Sequence, residues 1–113
     1  DVLQFQKETP GGRTSAFGFP VLVNQGAPFT VREITSALHA ASIETRPIIC
    51  GNIAKQPAMQ LYPHRVFGSL THATRVMDYG FSIGNHQSVD AEARAYVTRT
   101  VEEFMRRHRR VKA

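Results

Sequence analysis

The sequence predicts a small α/β domain, of the α+β two-layer kind, in which a three-stranded sheet carries helices packed against it. Three observations predict it. Phe17, Phe19, Val21 and Val23 recur at period two, the mark of a strand with one apolar face. Thr30-Val31-Arg32-Glu33 has capping-box spacing just before the stripe Ile34, Ala37, Leu38 and Ala41. Near the end, Tyr96, Val97, Val101, Phe104 and Met105 make a second apolar stripe at helical spacing.

In chain order, residues 1–13 close on Thr9-Pro10-Gly11-Gly12 and read as a linker entering a domain of residues 14–105. Residues 14–23 form the first expected strand, with Pro20 favouring an edge or bulge position. Gly26-Ala27-Pro28 ends it. Phe29 and Ile34 are placed as a hydrophobic staple, so a helix starts at Val31 and ends near Ser42. Residues 43–49 read as a second strand. Gly51-Asn52, Pro57, Pro63 and Gly68-Ser69 then keep the chain irregular as far as Thr71. Loops of more than about 12–15 residues are uncommon in compact domains unless they bind something. Thr71 can cap a short helix stopped at Gly80, Phe81 and Ile83 alternate into a third strand, and Ser88 can cap the final helix.

A length of 113 residues fits one domain and excludes a two-domain enzyme within this chain. No run of about 18 apolar residues is present to span a membrane as a helix. The chain has no leading Met or targeting pattern and reads as a piece cut from a longer protein. Fourteen Lys and Arg against nine Asp and Glu leave a net charge of +5. The surplus sits at the end, in Arg106, Arg107, Arg109, Arg110 and Lys112, so residues 106–113 read as a basic tail on a helix C-terminus. No aromatic residue interleaves that run, so nucleic acid is not the expected partner. Cys50 stands alone and suits a reducing cytoplasm.

Five histidines invite a metal, but His39, His64, His72, His86 and His108 never form a ligand pair at helical spacing, and no metal site is expected. His39 and His108 read as surface residues. His86, in the turn Gly84-Asn85-His86, either faces a ligand or simply caps the turn. Arg46, held extended by Pro47, either grips a carboxylate or phosphate with two parallel hydrogen bonds or makes a surface ion pair. Gly51-Asn52 either presents backbone N–H groups and an amide to a polar ligand or is an ordinary turn. No nucleotide-binding glycine loop and no hydrolase motif is present.

Three segments together resemble one family: Ser15-Ala16-Phe17-Gly18-Phe19-Pro20-Val21; Ile43-Glu44-Thr45-Arg46-Pro47-Ile48-Ile49-Cys50-Gly51-Asn52 through Gln56-Pro57-Ala58; and Gly80-Phe81-Ser82-Ile83-Gly84-Asn85-His86. The chain is similar to the C-terminal domain of the DegT-like nucleotide-sugar aminotransferases and their 3-dehydratase relatives. That resemblance implies the small domain of a fold-type-I enzyme using pyridoxal 5'-phosphate or pyridoxamine 5'-phosphate, with the large domain and its cofactor-facing lysine or histidine outside this chain. Lys7, Lys55 and Lys112 match no cofactor lysine, so no catalytic residue and no bound cofactor are expected here. The resemblance implies a nucleotide-linked 4-keto-6-deoxy sugar as substrate, undergoing 3-dehydration or amino transfer, and a homodimer in the full-length protein. Arg46 would bind an anionic group, and Asn52 and His86 would position hydroxyls. Phe17-Gly18-Phe19-Pro20 and Gln56-Pro57 tilt toward the dehydratase branch. The alternative from another class is a non-enzymatic binding module whose basic C-terminal helix meets an acidic partner.

Overall fold

The structure, a computed structural model, describes residues 2–111, with side chains as far as Arg109. Asp1, Lys112 and Ala113, the outer ends of the expected linker and tail, lie outside the described residues. Among the described residues, four strands and three α-helices follow one another as β1 (Leu3–Phe5), β2 (Gly18–Val23), α1 (Val31–Ala40), β3 (Thr45–Arg46), α2 (Thr71–Tyr79), β4 (Gly80–Gly84) and α3 (Ala91–Val111), with two short 3-10 helices, Ile53–Lys55 and Pro57–Leu61, between β3 and α2. The sheet is antiparallel throughout, in the order β1-β2-β4-β3.

The mixed α/β class holds, with two differences from the expected architecture. The sheet has four strands rather than three. Leu3, Gln4 and Phe5, inside the stretch expected as a linker, pair with Val23, Leu22 and Val21. The helices also occupy both faces, not one layer. In an antiparallel pair, directly opposed residues share a face. Val21, Val23, Phe81 and Ile83 therefore point to one side, where they meet Ile34 and Leu38 of α1 and Phe104 of α3. Gln4, Leu22 and Gly80 point to the other, where Arg75 of α2 donates from Nη2 to Gln4 Oε1 at 2.9 Å and to Asn24 Oδ1 at 3.0 Å.

The core lies on the α1/α3 side. Ile34 and Leu38 are fully buried, and burying such a side chain stabilises by roughly 1.5–3 kcal/mol. Phe29, the staple residue, packs edge-on to Phe104 with centroids 4.9 Å apart. His108, expected at the surface, is half-buried with its ring 4.0 Å from Phe104, because α3 continues through the basic run as far as Val111. Tyr96 leaves the expected apolar stripe: it is exposed, and its hydroxyl donates to the Ala41 carbonyl at 2.9 Å. A cleft of about 510 Å³ stays open between α3 and the sheet, lined by Leu3, Phe5, Phe19, Ile83, Val101 and Met105 among others.

Element boundaries shift for local reasons. Only Thr45 and Arg46 of the expected 43–49 strand pair with β4, since Pro47 has no N–H to continue the ladder. The paired part of β2 starts at Gly18 because its partner strand ends opposite, at Gly84. α2 starts at Thr71 but is not capped by it. Leu70 precedes it in the left-handed region, at φ 50°, and the Thr71 hydroxyl is bonded to Ser69 at 2.8 Å. α3 is capped by Asp90, whose Oδ1 accepts from the Ala93 N–H at 2.8 Å, two residues later than Ser88.

The capping box of α1 forms as read. Thr30 Oγ1 accepts from the Glu33 N–H, and Glu33 accepts from the Thr30 N–H at 2.7 Å. These bonds to the Thr30 backbone and hydroxyl hold the Glu33 carboxyl below the usual carboxylate range. A lowered carboxyl adds stability above its unfolded value, and that stability is lost as pH falls through the folded value. Thr30→Ala is expected to lower stability at pH 7 by about 1 kcal/mol. Thermal unfolding at pH 7 and then below the carboxylate range checks it, and the gap between the two proteins should narrow in acid.

Candidate functional site

The strand register sorts the three sequence-derived site residues by position. Arg46 is opposite Ser82, so it shares the α2 side of the sheet with Pro20, Gly18 and Gly84. α2 lies over the Leu22 and Gly80 end of that face, where the Val76 carbonyl approaches Gly80. The rest of the face, a shelf edged by Arg46, carries no side chain larger than proline, with Gly18, Pro20 and Ser82 half-buried and Gly84 exposed. Ser82 Oγ donates to the Arg46 carbonyl at 3.3 Å and fixes that edge. The Arg46 guanidinium is exposed and ion-paired with Glu44, two residues back on the same extended face.

His86 stands at the far end of the shelf, two residues past β4. Its Nδ1 accepts from the Ser88 N–H at 3.2 Å, so the neutral ring carries its proton on Nε2, which is left to donate outward. The neighbouring Asn85 donates from Nδ2 to the Ala16 carbonyl at 2.8 Å and pins the turn to the segment entering β2. Ser82, the residue opposite Arg46, precedes His86 by four positions, of which the last two lie beyond β4.

Asn52 is elsewhere. It is buried, 3% exposed, with Oδ1 accepting from the Ala54 N–H at 3.1 Å and Nδ2 donating to Thr74 Oγ1 at 3.0 Å. The loop after β3 is thereby clamped onto α2. Gly51 enables this approach: its φ is +63°, and a Cβ there would lie 2.6 Å from Met77 Cβ. Gln56 adds a second tie, Nε2 to the Cys50 carbonyl at 3.0 Å. Arg46 thus lies opposite β4 and His86 just beyond the end of that strand, both exposed, whereas Asn52 shapes the loop packed on α2. No hydrogen bond or ion pair links any two of the three among the described residues. Sequence reasoning passed over Glu44 as the Arg46 partner and Asn85 as the tie holding His86. The i, i+2 spacing of Glu44 and Arg46 was the available signal for the first, and nothing local signals a bond between residues 69 positions apart.

Lys7 and Lys55 are exposed, and neither side chain is fixed by a hydrogen bond or ion pair. No three His, Cys, Asp or Glu among the described residues come together as a metal-binding group, and no described helix is long and apolar enough to cross a membrane.

Residues 1–102 match the model of the DegT/DnrJ/EryC1/StrS aminotransferase family. The chain belongs to this family. It is 34% identical over 86 residues to a GDP-4-keto-6-deoxy-D-mannose 3-dehydratase of Yersinia pseudotuberculosis, a match covering 75% of this chain and 21% of that protein. It is 32% identical to the lipopolysaccharide biosynthesis protein RfbH of Salmonella typhimurium, over 92% of this chain and 24% of RfbH. Among solved structures, an E. coli GDP-4-keto-6-deoxy-D-mannose-3-dehydratase with bound hydrated PLP superposes with a TM-score of 0.74 at 28% identity, covering 84% of this chain and 24% of that one. A mutant of ColD, a GDP-4-keto-6-deoxymannose-3-dehydratase, with bound GDP-perosamine gives 0.75 at 26% identity, covering 92% and 26%. This family member therefore spans about a quarter of the length of these relatives.

Truncating Asn52 tests its structural part. Asn52→Ala leaves the Ala54 N–H and the Thr74 hydroxyl without their partner, and the expected cost is about 1–3 kcal/mol of stability. Gly51→Ala should cost at least as much, from the left-handed backbone and the Met77 contact together. Denaturant unfolding of each variant checks both.

Proposed function

We propose that this chain is the C-terminal, substrate-closing domain of a pyridoxal- or pyridoxamine-phosphate-dependent 3-dehydratase acting on a nucleotide-linked 4-keto-6-deoxy sugar. The observation that carries this is the pair of exposed side chains Arg46 and His86 at one end of β4, in a chain that matches sugar 3-dehydratases over most of its length. The cofactor and the residue facing it belong to the part of the protein outside this chain, and the residues here bind and orient.

Arg46 takes an anionic group, the diphosphate of the nucleotide sugar or the carboxylate of the amino donor. Either anion offers two oxygens to the guanidinium fork. A relative's structure holds a PLP–glutamate geminal diamine, which supports a glutamate donor. Displacing Glu44 costs little, since an exposed ion pair is worth about 0–1 kcal/mol. His86 donates from Nε2 to a sugar hydroxyl. Asn52 acts as a positioning residue, holding the loop that flanks Arg46 against α2.

A homodimer in the whole protein fits the apolar residues that the 49–67 stretch leaves exposed, among them Ile49, Leu61, Tyr62 and Phe67. A cytoplasmic place of action fits the exposed, unpaired Cys50.

In the full-length protein, Arg46→Ala should lower kcat/KM roughly 10- to 100-fold, as expected for a lost charge-assisted hydrogen bond, and His86→Ala roughly 2- to 10-fold. Steady-state kinetics with the nucleotide sugar and the amino donor varied separately show which anion Arg46 holds. Unchanged kinetics in both variants would remove the site assignment. Release of an amino sugar in place of the 3-deoxy product would move the protein to the transferase branch.

A further inference from the structure

The helix layer over the sheet is incomplete. α1 packs on β3 and β4, and α3 rests on α1 rather than on the strands. Directly opposed residues share a face, so Leu3, Phe5 and Phe19 stand on this side of the sheet with Val23, Val21 and Ile83. Their half of the face is only partly covered. Phe5 is 48% and Phe19 44% exposed, with ring centroids 5.7 Å apart.

The cleft of about 510 Å³ runs between this strip and α3. Its α3 wall is made by Val97, Thr98, Val101, Glu102, Met105 and Arg109, which follow one another along one stripe of the helix. From Val97 to Arg109 that stripe is about 18 Å long at the helical rise. The cleft is therefore a trough. Its lining is mostly apolar, and Glu102 and Arg109, both exposed, supply one charge of each sign. A trough of this length and lining matches the apolar stripe of an amphipathic helix, with side chains at i, i+3, i+4 and i+7 filling it. A strand would add to the free edge of β1 instead of to this face.

We propose that the trough is the docking site of the segment directly preceding Asp1 in the full-length protein, an amphipathic helix laid beside α3 that completes the layer over β1 and β2. This rests on the function proposed above, in which residues 1–113 are the C-terminal part of a longer enzyme. Position and tether choose this occupant over a second copy of the chain. Val2 and Leu3 line the trough, and the Val2 carbonyl is fixed by the Asn24 N–H at 2.9 Å, so the preceding residues enter at the trough itself. This chain spans about a quarter of the length of its relatives, which gives the family the polypeptide to fill it. A segment tethered so closely meets the trough at an effective concentration on the order of millimolar, an advantage a separate copy lacks.

Photo-crosslinking in the full-length protein tests this. The photoreactive residue p-benzoylphenylalanine replaces Val101 in the trough, Thr98 on its exposed wall, or Arg99, which does not line it. Melting temperature shows which variants fold, and Thr98 serves where the Val101 variant does not. After irradiation, mass spectrometry identifies the joined peptides. The expected product joins position 101 or 98 to the peptide directly preceding Asp1 in the same chain, in a yield roughly tenfold or more above that from position 99. Absence of a crosslink overturns the proposal by leaving the trough open. A product joining two chains overturns it in favour of a second copy, and a product with any other part of the same chain overturns it as well. Crosslinking is read without turnover. A protein that gives the expected product but transforms no nucleotide sugar loses the proposed function and keeps this docking, and an active enzyme without the product does the reverse.

Discussion

The antiparallel register between β2 and β4, with Leu22 opposite Gly80, Pro20 opposite Ser82 and Gly18 opposite Gly84, is the constraint on which the rest of the structure depends. Side chains alternate along a strand, so this pairing commits Val21 and Phe81 to the core with α1 and α3 and leaves small residues on the opposite face. A slip of one residue would send the apolar set to the wrong side, and burial of Val21, Val23 and Phe81 holds the register against it. β3 then reads off β4. With Arg46 opposite Ser82, it shares the face of Pro20, Gly18 and Gly84.

One face carries the buried aliphatic and aromatic residues and the open apolar cleft beneath α3, which contains none of Arg46, Asn52 or His86. The other carries α2 and the loop that Asn52 and Gly51 hold against it. Arg46 and His86 are both exposed and each is bonded locally, Arg46 to Glu44 and His86 to the Ser88 N–H. Both side chains are thereby oriented while remaining accessible.

Legibility in the sequence followed the range of the interaction. The α1 cap and staple involve residues within five positions of one another, and Thr30, Glu33, Phe29 and Ile34 all stand as the spacing implied. β1 was hidden because a three-residue strand has too few alternations to show a period, and the Thr9-Pro10-Gly11-Gly12 break after it reads as linker. Asn52 read as a polar group for a ligand because its partner Thr74 is 22 residues away, so its burial had no local signal. His108 read as exposed from its basic neighbours, yet its position four residues after Phe104 sets it over that ring. Arg46 and His86 were recognisable as a pair only through the resemblance. The register places Arg46 opposite Ser82, and the chain runs from that strand into His86.

The central claim is that substrate meets this domain on the α2 side of the sheet, between Arg46 and His86. Hydrogen–deuterium exchange of the full-length protein, with and without the nucleotide sugar, tests it most directly. The account predicts slowed exchange at residues 16–18, 45–46 and 84–88, with α1 and α3 unchanged. Slowing confined to α3 and the cleft-lining residues Leu3 and Phe5 would contradict it.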